Sequence, residues 1–351
     1  MKTARYDYLD LAKGLGIITV VWAHIMLVGW SHQVSYAYHM PLFFFLSGML
    51  FAKGRYPKFS EFVAKRAKRL LLPYLVYSLA TWAVWAAFRY LRHDTVASYF
   101  APLLQTFLGQ GSGAFMVHNS ALWFIPCLFV VELMYFFISK YKDWLNVLIC
   151  FAACAVSYLL GHFYKDAWWN LLPFNFDAAL IALPFYSLGN LLIKQYPHDE
   201  LIGFTKANKL LSIVICVVLF AVLAVMALSF GEGSMGSSSY YCSGLIFVSR
   251  AFVGIVALLM LTLVMSNGRI IKEGFSSVYR YVLWCGQYSL DIMCLHIPVK
   301  GVIAIVIARL LHISVDAVSL EWLPASVVFI LTMAIVSVMV VCINKWIRKS
   351  K

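Results

Sequence analysis

The chain has 351 residues, of which 63% are hydrophobic and only 12% are charged, and its mean hydropathy is +0.83. Soluble domains are about 45–50% apolar and about 25% charged, so this composition excludes a soluble globular protein, and a disordered chain is poorer still in apolar residues. The formal net charge of +13 is better explained by the excess of Lys and Arg in cytoplasmic loops of membrane proteins than by nucleic acid binding. The sequence therefore predicts a protein embedded in a lipid bilayer, with no nucleic acid partner.

Ten apolar runs follow one another along the chain, each close to the length of about 20 residues that a spanning helix needs. They cover residues 8–29, 36–52, 71–91, 121–139, 144–163, 176–193, 209–230, 245–266, 281–308 and 322–344. The predicted fold class is all-α: a polytopic integral membrane protein with about ten transmembrane helices, forming a single membrane-embedded domain over residues 1–351. The longest outer connection, 92–120, contains Gly109, Gly111, Ser112 and Gly113 and is expected to be a mobile loop or a re-entrant segment.

The distribution of basic residues predicts the orientation. With the N-terminus inside, most of the 28 Lys and Arg residues lie in inner segments, whereas the outer loops contain only Arg89, Arg92 and Lys165. Basic residues favour the cytoplasmic side, so we expect both termini in the cytoplasm and an even number of spans. The expected location is the inner or plasma membrane, crossed several times.

The first span carries three ionisable residues, Asp10, Lys13 and His24, although each such group costs at least about 2.5–3.5 kcal/mol at bilayer depth. On a helix, Lys13 lies within about 20° and Asp10 within about 40° of the direction of His24. The three side chains therefore share one helix face, with His24 about 16 Å beyond Lys13 along the axis. A functional site is one interpretation. The other is an Asp10–Lys13 pair near the headgroups and a His24 ring bonded to neighbouring backbone.

Further polar groups fall at a similar depth, namely His39 in the second run and His296 and Lys300 in the ninth. Three histidines make a metal site conceivable, but they come from separate spans and no carboxylate pair accompanies them. We therefore expect no metal. Glu132, in the middle of the fourth span, is interpreted as a packing group bonded to a hydroxyl rather than as a catalytic residue.

The connection between the second and third spans follows Ser47 and Gly48 and contains seven basic residues. Most of this charge is ordinary for a cytoplasmic segment. Arg66 and Arg69 are three residues apart and would point the same way on a helix. Because the guanidinium fork matches phosphate oxygens, the pair is also a candidate phosphate site.

Five pieces of the chain, spread from the first span to the ninth, resemble the acyltransferase-3 family of integral membrane acyltransferases. They are Tyr8-Leu9-Asp10-Leu11-Ala12-Lys13-Gly14 through His24; Tyr38-His39-Met40-Pro41-Leu42-Phe43-Phe44-Phe45-Leu46-Ser47-Gly48; Arg66-x-x-Arg69 with Leu72-Pro73-Tyr74; Ala121-Leu122-Trp123-Phe124; and Ser289-Leu290 through His296. The nearest subgroup resembles the fucose 4-O-acetylase type. The family's basic residue before its catalytic histidine is typically Arg, whereas here it is Lys13, which cannot make the bidentate contacts of Arg.

The resemblance implies transfer of an acyl group, usually from cytoplasmic acetyl-CoA, to a hydroxyl of a cell-surface or lipid-linked glycan. The nucleotide would rest on Arg66 and Arg69, and the pantetheine arm would deliver the thioester toward His24, which suits deprotonation of a sugar hydroxyl. Direct transfer and a transient acyl-histidine both remain open. The expected site residues are His24 and Asp10 for catalysis; Lys13, Ser47, Gly48, Arg66 and Arg69 for the donor; and His39, Trp123, His296 and Lys300 for the acceptor. No appended extracytoplasmic transferase domain is recognised, so the membrane core is expected to complete the transfer.

Two alternatives belong to other functional classes. A transporter or flippase for a glycan or its precursor also suits ten spans and buried charges, and it would be favoured by inverted repeats with broken helices, which the sequence does not reveal. A structural or sensory membrane protein is the second alternative, and it predicts that His24 is replaceable.

Overall fold

The computed structural model describes residues 5–52, 54, 58–93, 95, 98–110, 116–163, 172–230, 233–235, 239–240, 244–268 and 273–349. The helices are α1 (Asp7–Ile25), α2 (Trp30–Met49), α3 (Phe59–Leu91), α4 (Ala101–Thr106), α5 (Phe124–Ile138), α6 (Asp143–Phe163), α7 (Phe176–Gln195), α8 (His198–Ala207), α9 (Lys209–Ser229), α10 (Gly244–Asn267), α11 (Ser276–Gln287), α12 (Ser289–Leu311), α13 (Val315–Leu320) and α14 (Trp322–Lys349). Short 3₁₀ turns occupy Ser120–Trp123 and Pro173–Asn175. The β structure of the described residues is one antiparallel pair of two-residue strands, β1 (Gly233–Ser234) and β2 (Ser239–Tyr240).

The predicted all-α, polytopic membrane architecture is confirmed. Within the described part of the chain, nine helical segments are long and apolar enough to cross a membrane, and each coincides with one of the predicted apolar runs. The remaining predicted span, 36–52, corresponds to α2, which is not among those nine. This helix is 20 residues long and starts earlier than predicted, at Trp30, because polar residues such as His32 and Gln33 belong to it.

The bundle has a buried centre and a lipid-facing periphery. Helices α1, α2, α5 and α7 are mostly buried, and α2 packs against α1, α7 and α10. By contrast, α9 exposes Leu210, Val217 and Val225, as expected of a helix whose apolar surface meets lipid rather than protein.

Two pairs of glycines allow the closest helix contacts. A Cβ built on Gly48 would lie 2.0 Å from the carbonyl oxygen of Tyr186, and one on Gly189 would lie 2.1 Å from that of Phe45. The backbones of α2 and α7 therefore touch, as small residues permit in membrane helices. The contact of α1 with α11 is similar, because a Cβ on Gly286 would lie 1.8 Å from the Asp10 carbonyl oxygen and one on Gly14 would lie 2.0 Å from that of Val282.

The ninth apolar run is not one helix, which corrects the prediction of a single span over 281–308. The helical path breaks at Tyr288, where φ is −110° and ψ is 22°, and α11 ends one residue before it while α12 starts one residue after. Helix α11 lies across the first turns of α1, where Tyr279 donates a hydrogen bond to Asp7. The sequence did not reveal this broken helix because the stretch Gly286-Gln287-Tyr288-Ser289 is short and lies between apolar residues, so it does not end an apolar run of membrane length.

The helix α8 docks on the beginning of α1. The Tyr8 hydroxyl hydrogen-bonds His198 Nδ1 at 2.6 Å, and the Tyr6 ring stacks on the His198 ring at 4.2 Å. On the other side, Asn267 of α10 donates to Thr205 of α8. These contacts tie the α7–α9 connection to the same end of the bundle as Asp10 and Lys13.

The described part of the outer segment packs onto the bundle. Tyr74 donates to the Thr106 carbonyl at 2.5 Å, Trp82 donates to that of Tyr99 at 2.8 Å, and the Phe174 amide donates to Leu108 at 2.6 Å. Of the residues named for the outer loops, Gly111, Ser112, Gly113 and Lys165 lie outside the described residues.

Candidate active site

Three of the predicted site residues meet near the end of α1. The His24 ring lies 5.1 Å from the His296 ring of α12, centroid to centroid, in an edge-to-face arrangement. One turn further along α12, Lys300 Nζ donates a hydrogen bond to the His24 carbonyl oxygen. The structure therefore joins the first span to the ninth through an imidazole pair and a lysine.

Helix α2 adds a second group of rings beside this pair. The ring of Tyr36 lies 6.5 Å from that of His24, 4.9 Å from that of His39 and 4.3 Å from that of His32. His39 was predicted for the site, whereas His32 and Tyr36 were not. Their spacing relative to His39, seven and three residues earlier on one helix, places all three on the same face and would have indicated them.

The hydrogen bonds of these histidines define which ring nitrogen is basic. The Nδ1 atoms of His24, His39 and His296 lie 2.8, 2.6 and 2.8 Å from the carbonyl oxygens of Val20, Ser35 and Met293, in that order. A carbonyl only accepts, so Nδ1 carries the hydrogen and, in the neutral ring, Nε2 carries the lone pair. His39 and His296 are buried while His24 is half-buried, so His24 is the most exposed residue of the three.

Asp10, predicted as a catalytic partner of His24, lies at the opposite end of α1. Its carboxylate pairs with Arg5 at 2.6 Å and lies 3.8 Å from Lys13 Nζ. Because α1 is continuous from Asp7 to Ile25, Asp10 and His24 are about 21 Å apart along the axis. Sharing a helix face does not shorten that distance, so Asp10 acts on Lys13 and Arg5 and not on the His24 ring.

Arg66 and Arg69, both expected to bind the nucleotide, occupy different environments. Arg66 is buried, with its Nε 3.2 Å from Glu132 Oε2 and its guanidinium 5.2 Å from the centre of the Phe62 ring. Arg69 is exposed, and its charge is close enough to Lys13 to repel it. Glu132 is thus the partner of an arginine rather than of a hydroxyl, which corrects the expected partner but not the interpretation as a packing group.

The other predicted residues have the following places. Gly48 is a helix-contact glycine, as described above, and Ser47 is half-buried beside it. Trp123 is buried in the 3₁₀ turn that precedes α5 and that contacts α12, with its ring 6.3 Å from that of Phe124. In the described part of the chain, no group of three His, Cys, Asp or Glu side chains is arranged to hold a metal ion.

Comparison with known proteins identifies the family. The acyltransferase-3 family model, described as an acyltransferase domain, matches residues 6–343. No curated protein and no solved structure matched the chain. Because the family match covers nearly the whole sequence, the chain belongs to this acyltransferase family, and with its apolar helices it is a multi-pass membrane acyltransferase.

Proposed function

We propose that this membrane acyltransferase moves an acetyl group from cytoplasmic acetyl-CoA to a hydroxyl of a cell-surface or lipid-linked glycan, with His24 as the general base. The observation that carries the proposal is the His24 ring itself, whose Nδ1 is bonded to the Val20 carbonyl and whose Nε2 belongs to a half-buried side chain beside Lys300. The resemblance to the fucose 4-O-acetylase type supports a sugar as the acceptor. The active protein is expected in the inner or plasma membrane, with both termini cytoplasmic.

The chemistry needs one proton carrier and one centre of positive charge. His24 Nε2 takes the proton of the acceptor hydroxyl as its oxygen attacks the thioester carbonyl carbon and forms the new C–O bond. The C–S bond then breaks, and the proton on Nε2 passes to the sulfur to give the CoA thiol. The ammonium group of Lys300 stabilises the negative charge that develops on the carbonyl oxygen.

The donor reaches His24 from the end of α1 that carries Lys13. Arg69 is exposed and interacts electrostatically with Lys13, so we assign the binding of the nucleotide phosphates to these two cations. The path to His24 is about 16 Å along α1, a distance suited to the extended pantetheine arm. Arg66, held by Glu132, would support this region by fixing α3 against α5.

Helix α2 borders the same path. Gly16 of α1 faces the ring of Phe43, which a Cβ on this glycine would approach to 3.3 Å. Ser47 follows Phe43 by one helical turn toward the end where Lys13 lies, and both residues are half-buried. We assign Ser47 and Phe43 to the wall of the donor path, with Gly48 acting through the tight α2–α7 contact. On the other side, His39, His296 and Trp123 would surround the acceptor.

The test uses the purified full-length protein in lipid nanodiscs with radiolabelled acetyl-CoA and a glycan fraction from the cell envelope. Acceptor-dependent release of CoA, with label that becomes ester-linked to the glycan and is removed by hydroxylamine, is the expected result. Deletion of the gene in cells should correspondingly lower the ester content of the glycans. Unchanged ester content together with accumulation of an unexported glycan would instead identify a transporter.

A further inference from the structure

Two neighbouring buried side chains in the outer segment carry polar atoms that have no hydrogen-bond partner among the described residues. His118 is 3% exposed, and neither of its ring nitrogens has a hydrogen-bond partner among the described residues. Asn119 is fully buried, and its Oδ1 also lacks a partner there. Leaving such groups unpaired costs about 1–3 kcal/mol each, which a packing role alone does not repay.

The position of these residues connects them to the histidine cluster. Asn119 Nδ2 donates to the carbonyl oxygen of Cys294 at 2.6 Å, so the segment before the 3₁₀ turn is fixed to α12. Cys294 is two residues before His296, whose Nε2 is likewise buried without a partner in the described part of the chain. The unsatisfied atoms of His118, Asn119 and His296 therefore belong to two segments that a direct hydrogen bond holds together.

The chemistry of the unsatisfied atoms indicates the kind of ligand. Burial lowers the pKa of His118 to about 4, so the ring is neutral and offers one N–H and one lone pair. Adding Asn119 Oδ1 and the Nε2 lone pair of His296 gives three acceptors and one donor. Neighbouring hydroxyl groups supply the donors that this set requires, whereas a phosphate has only acceptors to offer and would be repelled.

We infer that His118 and Asn119 form an acceptor subsite that binds the hydroxyl groups of a sugar ring beside His296. The inference rests on the proposed function, because it takes the sugar as the acceptor of the acetyl group. The inference excludes a phosphate group from this position. If the acceptor is lipid-linked, the phosphate of its lipid carrier must lie elsewhere. The role of both residues is to bind and orient the acceptor, while the proton transfer stays with His24.

The test compares variants that remove or keep the polar atoms of His118. His118→Leu removes both nitrogens, His118→Gln keeps a donor and an acceptor, and His162→Leu on the exposed end of α6 is the matched control. Each purified protein is assayed with radiolabelled acetyl-CoA and, in separate reactions, methyl α-L-fucoside, methyl β-D-galactoside and methyl β-D-glucoside. Hydrolysis of acetyl-CoA without a sugar is measured in parallel, and thermal unfolding reports whether each variant is folded.

We expect His118→Leu to raise the acceptor KM about tenfold, the equivalent of one lost hydrogen bond, with the acetyl-CoA KM and the hydrolysis rate unchanged. His118→Gln should recover most of the loss, and His162→Leu should behave as wild type. If the wild type acetylates a glycoside and His118→Leu has the same acceptor KM as the wild type, this inference is overturned and the proposed function stays intact. If the wild type hydrolyses acetyl-CoA but acetylates none of the three glycosides, the assignment of a sugar as acceptor is overturned, both in this inference and in the proposed function. If His118→Leu does not fold, His118→Phe replaces it. An acceptor KM about tenfold higher in His118→Phe than in His118→Gln supports the inference, and equal values overturn it.

Discussion

The sharpest consequence of the arginine geometry is that Arg69→Ala and Arg66→Met should fail in different ways. Arg69 is exposed, so its removal should delete the proposed charge-assisted phosphate contact, worth about 1.5–3 kcal/mol. That corresponds to a Kd for CoA raised about 10- to 150-fold, with the folded state unaffected. Arg66 and Glu132 form an ion pair at 3.2 Å with side chains 9% and 5% exposed. Arg66→Met leaves the carboxylate buried and unpaired, which destabilises by about 3–5 kcal/mol.

Two measurements on the same purified proteins separate these outcomes. Binding of CoA, which cannot donate an acyl group, gives the donor affinity, and thermal unfolding in nanodiscs gives the stability. The double variant Arg66→Met/Glu132→Gln should recover most of the stability, because it removes the charge that Arg66→Met strands. Equal CoA affinity in Arg69→Ala and wild type would refute the donor assignment. Normal stability with weakened CoA binding in Arg66→Met would show that Arg66 binds the nucleotide itself.

Three further results are expected. Gly48→Ala should destabilise the protein by about 1–3 kcal/mol in thermal unfolding, because its Cβ would lie 2.0 Å from a carbonyl oxygen. The control Gly161→Ala, with open space around it, should not destabilise the protein. Equal stability of the two variants would contradict the tight α2–α7 contact. Burial lowers the pKa of His198, so the folded protein binds fewer protons at this residue than the unfolded chain does. The stability that His198 contributes should therefore be present above about pH 6.5 and decrease as the pH falls below that value. His198→Phe should flatten that part of the pH profile of the melting temperature. A thiol reagent added outside intact cells should label Arg92→Cys and not Lys206→Cys, and the reverse pattern would invert the orientation.

Much of the fold follows from the sequence because apolar runs of membrane length leave few choices. The runs at 121–139 and 209–230 were predicted almost to their ends, as Ser120–Ile138 and Lys209–Ser229. The break at Tyr288 was not predictable, because the short stretch 286–289 does not end the apolar run and the close contact of Gly286 is with a distant part of the chain, α1. The early start of α2 was missed because its first turn contains polar residues, which were not counted in the apolar run.

The candidate site was predictable where it contains ionisable residues within the spans, because such residues are energetically costly in a bilayer. A histidine at bilayer depth has to be explained, and the structure brings His24, His296 and Lys300 together. Partners supplied by another helix were not predictable, and the Arg66–Glu132 pair depends on how α3 meets α5. His118 was missed because a histidine in a polar connection looks solvated, and its burial depends on the fixing of that segment to α12.

Acetyl transfer by His24→Gln tests the central claim most directly. Gln can still donate to the Val20 carbonyl and fills most of the ring's volume, but it has no basic nitrogen, so the variant should fold and bind CoA normally. We expect turnover with acetyl-CoA and a glycan acceptor to fall about 10²–10⁴-fold, while His162→Gln keeps wild-type turnover and His39→Gln and His296→Gln show milder losses. Wild-type turnover in His24→Gln, with abolition in His296→Gln, would contradict the account and move the catalytic base to α12.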